Sequence, residues 1–273
     1  ISLFLLFSSG QLYAEQPVPV AAQADWVIEK RFNSDPQIPH NAIKKGVYYL
    51  LVDTQLRVSP SGKRESFRHL AEHIVNQNGI EESSQLNLSF DPAYQNLTLN
   101  SLLVWRDGKS IDKTATAKMA ILQREEELDN LIYNGKHTLN IILDDIRVGD
   151  TIEYSYTRAG ANPIFQGIFG YGRYLQWSVP VDELHFRLVW EKPEPLHHKL
   201  YNSQLTLNEK STANSRIYWL EQKHLEALES GDDTPSWYDP YSYIQFSELG
   251  TWNEVIQWSM PLYEDAIQSS ESI

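Results

Sequence analysis

Between Tyr48 and Val58 the even positions are Tyr, Leu, Val, Thr, Leu and Val, with Asp53, Gln55 and Arg57 standing between them. Apolar residues at every second position belong to a strand with one buried face. Ser59-Pro60-Ser61-Gly62 is a turn, and it folds the segment Lys63 to Asn76 back beside the first. In that segment Phe67, Leu70, Ala71, Ile74 and Val75 also fit a helical stripe. The tight turn nevertheless favours the second strand of a hairpin. From Ser84 to Phe90, Leu86, Leu88 and Phe90 alternate with Gln85, Asn87 and Ser89. A strand over 97–105 then meets Asp107-Gly108, a pair suited to a two-residue hairpin turn with positive φ at both positions. Further strands are expected at 138–143, 151–157, 184–190 and 216–220, with a turn at Val148-Gly149-Asp150. Many short strands between turns imply antiparallel sheets stacked as a β-sandwich over 46–228.

The period becomes helical only near the end. Thr251 followed by Glu254 is a capping-box pattern, and Trp252, Val255 and Ile256 share a face before Pro261 interrupts. Just upstream lies an unusual stretch, TPSWYDPYSYIQFSELGTWNEVIQW, in which seven of 25 residues are aromatic and none is Lys or Arg. Trp237, Tyr238, Tyr241, Tyr243 and Trp252 are therefore candidates either for a packed joint between domains or for a binding patch. Composition and period together place a domain boundary near 230–250, so 229–273 is expected to be a connector and the start of another domain.

The opposite end suggests location. ISLFLLFSSGQLYAEQ has an apolar run followed by small residues and Leu12-Tyr13-Ala14, like the back half of a secretory signal peptide cleaved after Ala14. That run is too short to span a bilayer. Ile1 has no Met or basic leader before it, so residues 1–14 are expected to be a remnant. Residues 15–45, with QPVPVAAQ and NSDPQIPHN, are punctuated by proline and are expected to be a tether. A periplasmic or exported protein is the expectation.

Charge and composition then narrow the chemistry. A net charge of −13 repels phosphate backbones and anionic membrane surfaces, and the short basic groups at 44–46 and 62–64 do not reverse it. Cys is absent, which removes disulfides and thiolate metal sites. His69 and His73 would share a face on a strand, but with about 13 Å of rise between them, too far for one metal ion. His197-His198 has no ligand-like company, and Glu125-Glu126-Glu127 with Asp129 lacks calcium-loop spacing, as does Asp232-Asp233. Gly167, Gly170 and Gly172 have no phosphate-loop Lys after them and fit a long turn. No G-x-S-x-G elbow or activated nucleophile is evident. Neither a metal nor an organic cofactor is expected.

Several segments in order carry a resemblance: LVDTQLRVSPSGKRESFRH, NQNGIEESSQLNLSFDPAYQNLTL, VWRDGKSID, LQREEELDNLIYNGKHTLNIILDDIRVGDTIEYSY, GANPIF, LQWSVPV and PSWYDPYSYIQFSE. Over roughly 46–265 the chain resembles the uncharacterised β-rich domain of exported bacterial proteins that precedes a transglutaminase-like core. The resemblance implies an all-β region followed by the first helix of a truncated, papain-related α+β domain. Such cores use a Cys, His and Asp triad. No residue here matches the Cys motif, so no catalytic residue is carried over.

The expectation that follows is a non-catalytic module that positions a downstream transglutaminase-like domain in cis. Its aromatics would pack the joint, with Trp252 turned toward the sheets. The alternative is a module that binds peptides or cell-wall glycans through exposed aromatics. An independent enzyme built on carboxylates or histidines would need a converging pair of them in a cleft.

Overall fold

A computed structural model of the protein describes residues 17–123, 135–229, 231, 234–235 and 237–271. The expected signal remnant, the acidic run at 125–129 and Asp232-Asp233 lie outside them. Among the described residues fourteen strands and two α-helices follow in order: β1 (Val47–Val58), β2 (Arg64–Ile74), α1 (Gln77–Ser83), β3 (Gln85–Phe90), β4 (Asn96–Arg106), β5 (Lys109–Asp112), β6 (Lys118–Gln123) and β7 (His137–Ile142). Then come β8 (Thr151–Ala159), β9 (Gly170–Tyr174), β10 (Val181–Trp190), β11 (His197–Tyr201), β12 (Asn208–Ser211), β13 (Arg216–Leu225), β14 (Tyr243–Ser247) and α2 (Trp252–Glu271). The body is all-β, as the alternation predicts.

Eight strands form one sheet in the order β12-β13-β10-β1-β2-β8-β4-β5. The two hairpins anticipated from turn residues are present. Ser59 N donates to Lys63 O (3.0 Å) where β1 meets β2. Asp107 and Gly108 join β4 to β5 with φ of 51° and 73°. The segment 64–74 is a strand, and the hairpin outweighs its helical stripe. Pairing is not uniformly antiparallel, however: β1 runs parallel to β10 along its length. These two strands are far apart in sequence, and the chain between them returns to the same end of the sheet.

Two smaller sheets, β3-β7-β6 and β11-β14-β9, supply side chains to two apolar clusters on one face of the large sheet. The first cluster joins Leu86, Leu88, Leu139 and Ile141 to Ile74, Leu102 and Tyr154. The second joins Phe169, Ile244 and Phe246 to Val52, Phe186, Trp190 and Tyr218. Tyr49 packs against both. Trp190 is fully buried, and its indole N–H is satisfied by Glu194 O at 2.8 Å.

Several sequence expectations need correcting. First, β1 does not have a single buried face. Its register shifts between Tyr49 and Leu51, so Tyr48 and Leu50 face one side while Val52, Leu56 and Val58 face the other. A bulge of this kind reverses the alternation beyond it. Second, the proline-punctuated segment after residue 17 is no free tether. Val18 and Val27 are buried, and Ala21 and Pro19 exchange hydrogen bonds with Leu99 on the otherwise open stretch of β4. Third, β14 lies inside the expected connector yet is the central strand of its sheet, with Ile244 and Phe246 buried. Fourth, Pro261 sits within α2 and does not end it.

Gly170 and Gly172 also belong to a strand, not a turn. A Cβ on Gly172 would sit 1.6 Å from the Tyr243 hydroxyl, so the glycine admits that ring. A second close approach joins α1 to the start of β1. Asn76 caps α1 through bonds from Asn78 N and Gly79 N, and a Cβ on Gly79 would lie 2.0 Å from the backbone oxygen of Gly46. Gly46 O in turn accepts from Val75 N at 2.8 Å. Gly79→Ala therefore forces two backbones apart and should cost roughly 2–3 kcal/mol, the upper part of the range for overpacking. Gly108→Ala, with open space around it, should cost about 1–2 kcal/mol from its positive φ alone. Urea denaturation of the two variants measures the difference, and a costlier Gly108 variant would contradict the close approach.

Candidate functional site

Four of the five aromatics singled out in the sequence gather together, and the fifth stands apart. A turn closed by Tyr238 N donating to Pro235 O (2.9 Å) presents Trp237 and Tyr238, whose rings meet edge to face at 6.1 Å. Trp237 is 83% exposed and Tyr238 46%. Tyr241 and Tyr243 are half-buried and both pack on Tyr174 of β9, with ring centroids 6.2 and 5.1 Å away. Asp239 holds the loop in place: it accepts from the Tyr174 hydroxyl and from Tyr241 N, while Asn202 donates to its carbonyl. An open groove of about 670 Å³ results, walled by Tyr174, Trp177, Trp237, Tyr238 and Tyr241.

Trp252 contributes nothing to this groove and is 82% exposed at the start of α2, contrary to the expectation that it faces the sheets. The expected cap does form: Glu254 Oε2 accepts from Gly250 N and Thr251 N, and Thr251 Oγ1 accepts from Glu254 N. Trp258, not Trp252, meets the body, stacked on Phe165 at 5.5 Å. Six residues separate the two tryptophans, which puts them about 120° apart around the helix.

A second concentration of polar groups was not apparent from sequence patterns. Across the face of the large sheet opposite the apolar clusters, cross-strand partners form one row: Glu221, His185, Asp53, His69, Ser155 and Ser101. The N-terminal segment lies over this row. Ile28 N donates to Gln55 Oε1 (3.0 Å), Lys30 pairs with Glu221 (2.6 Å), and Phe32 meets Trp105 edge-on at 5.8 Å. Between segment and sheet runs a groove of about 920 Å³ containing His69, His73, Trp105 and Glu153.

His69 Nε2 lies 2.7 Å from Glu153 Oε1, and Trp105 Nε1 donates to Glu153 Oε2 at 2.6 Å. Burial raises the Glu153 carboxyl, but these two bonds and the charge of His69 outweigh it and hold it below the ordinary range. His73 is engaged separately, with Nδ1 3.0 Å from Thr151 Oγ1, and burial pushes its imidazole down. The two histidines share a face of β2, but each is held by its own partner on β8. Ser155 Oγ lies 2.6 Å from Ser101 Oγ, and either hydroxyl can donate. Such an arrangement can orient an imidazole and hold a proton. Among the described residues no three His, Asp or Glu side chains converge as metal ligands do.

Asp53, at the centre of the row, is fully buried. Its Oδ2 accepts from Gln55 Nε2 at 2.8 Å, and its Oδ1 has no partner. Burial pushes this carboxyl up, against the opposing Gln55 bond and the positive surroundings of His69, His185 and Lys30. The folded state thus holds the proton more tightly than the unfolded chain does. The stability linked to it is present below the unfolded carboxylate pKa and is lost as pH rises through the folded one. Asp53→Asn keeps the acceptor for Gln55 and removes the buried charge. At about pH 8 it should be more stable than wild type by about 1–3 kcal/mol, with the gain fading toward about pH 4. Urea denaturation at both pH values checks this, and a gain independent of pH would refute it.

A structure from Parabacteroides distasonis, provisionally described as a protease, matches with a TM-score of 0.67 and 16% identity, over 75% of this chain and 41% of its own. Leukotriene A4 hydrolase from Saccharomyces cerevisiae (15% identity, TM-score 0.37) and the M1 zinc metallopeptidase from Deinococcus radiodurans (10%, 0.38) each match over 74% of this chain. They are matched over 29% and 42% of their own lengths, respectively. The chain thus spans less than half of each of these proteins. No curated protein sequence matches it. Among the described residues no helix is long and apolar enough to cross a membrane. A family model does match over residues 60–229, and the chain belongs to that family, a domain of unknown function with a solved structure, DUF3857.

Proposed function

We propose that this chain is a non-catalytic, sandwich-like β module that positions a transglutaminase-like core, of cysteine peptidase or amidase type, in cis within the periplasm. The observation that supports it most is the outward face of α2. Trp252, Ile256, Met260 and Tyr263 are 82%, 54%, 47% and 67% exposed. Their spacing of four, four and three residues makes one apolar stripe along a helix whose Trp258 is already seated on the body. Exposed apolar stripes of this kind mark interaction surfaces. The helix is a bracket, seated at Trp258 and open along the stripe.

Two further facts agree with the proposal. The sequence contains no Cys, so a thiolate nucleophile would come from elsewhere in the parent protein. The protease-described structure from Parabacteroides distasonis carries this fold in under half of its length. The export signal rests on the signal-like residues ending at Ala14.

A second role, binding of peptide or glycan ligands, is favoured by the exposure of Trp237 beside the groove of Tyr174, Trp177 and Tyr241. Flat aromatic walls of that type stack on sugars and planar peptide groups.

Stability measurements separate these roles. In this chain Trp252→Ala should change stability by less than about 0.5 kcal/mol, as for exposed positions generally. In a longer chain that carries a transglutaminase-like core, the same change should cost about 3–5 kcal/mol. Denaturation of wild type and variant in both contexts reads the difference. An equally small effect in the longer chain would reject the bracket, and loss of glycan or peptide affinity on Trp237→Ala would then support the binding role.

A further inference from the structure

The protein is acidic overall, yet arginines collect on the neighbouring strands β2 and β8 and on β9 of a small sheet. Arg64 and Arg68 lie on the same face of β2, and Arg158 of β8 stands opposite Ser66 between them. Arg173 reaches in from β9, an edge strand of its small sheet. Elsewhere in the molecule Arg57, Arg106 and Arg147 each pair with carboxylates. Among the described residues no carboxylate forms an ion pair with Arg68 or Arg173. Glu72, four residues along β2 from Arg68, is committed to Ser83 and Tyr154.

Arg68 and Arg173 both line a cavity of about 400 Å³. Arg68 Nε is buried without a hydrogen-bond partner, and Arg173 shares a side-chain hydrogen bond with the Tyr171 hydroxyl. Burial first, then the like charge of Arg68, pulls the Arg173 guanidinium down to about 10. Two cations held together without a counter-charge are costly unless an anion comes between them. The remaining walls are apolar or aromatic, with Leu70, Val181, Tyr49 and Trp177 prominent.

We infer that this cavity is a binding site for a small organic carboxylate with an apolar or aromatic body, about the size of a dipeptide. The paired guanidiniums take the carboxylate by bidentate hydrogen bonds, the geometry that planar forks favour. The walls around Trp177 and Val181 cover the body. A bare inorganic anion would satisfy the arginines but leave those walls wet. The site is separate from the α2 stripe and does not depend on the role proposed for that helix.

Hippurate, which combines a carboxylate with a benzoyl amide, is a suitable probe, with its neutral carboxamide and inorganic phosphate as comparisons. Calorimetric titration should give a Kd for hippurate of roughly 1 mM or tighter. The carboxamide should bind at least about tenfold more weakly, and phosphate should not compete at equal concentration. Arg68→Gln and Arg173→Gln should each weaken hippurate about tenfold or more. Their melting temperatures should stay level or rise, because each removes a like charge. Arg158→Gln, which lines a different groove, should leave hippurate binding unchanged. Absence of hippurate binding, equal binding of the carboxamide, or effective competition by phosphate would each overturn the inference. So would a marked fall in melting temperature in both glutamine variants, which would make the arginines structural.

Discussion

β1 must satisfy two environments at once. It has strand neighbours on both edges and covering layers on both faces, and nearly every residue in it is buried. A strand in that position cannot alternate simply between apolar and polar residues. The bulge between Tyr49 and Leu51 resolves the conflict by changing which side chains face which layer. Before it, Tyr48 and Leu50 meet Phe32 and Ile38 of the N-terminal segment, while Tyr49 bridges the two apolar clusters. Beyond it, Val52, Leu56 and Val58 enter the core, and Asp53 and Gln55 turn to the polar face. The separation of an apolar layer from a polar one follows from that single extra residue.

Much of this was legible in the amino-acid pattern. The clean alternation of Leu86, Leu88 and Phe90 and the Asp107-Gly108 turn correspond to strands and a hairpin in the fold. The bulge was not legible, because Tyr48 to Val52 are apolar throughout and a run without polar residues has no phase. The packing of the N-terminal segment was hidden by its prolines. They rule out regular structure but not burial, and Val18 and Val27 were the available signal. β14 was disguised by aromatic composition, although Ile244 and Phe246 alternate with Tyr243 and Gln245 as a strand requires.

The sites divide in the same way. Local clustering in sequence singled out Trp237, Tyr238 and Tyr241 as a joint or a patch, and a loop brings them to one groove. Trp252 misled because a capping box locates the start of a helix but not the neighbour that its faces will meet. The Glu153–His69 pair and the Arg68–Arg173 pair are brought together only by strand order. His69 and Glu153 belong to adjacent strands, β2 and β8, yet sit far apart along the chain. No spacing rule within one segment reaches that distance.

The parallel pairing of β1 with β10 also has a temporal side. β1 and β2 are made early and can close their hairpin within microseconds, but the other edge of β1 has no partner until β10 has been synthesised. Through that interval a long apolar strand edge stays open, which is the feature that templates unwanted pairing between chains. A chain that crosses a membrane before folding would be released with both strands present. A chain that folds as it is made would need its early hairpin shielded. The connectivity at the centre of the sheet therefore bears on how the protein must be delivered, as well as on how it is built.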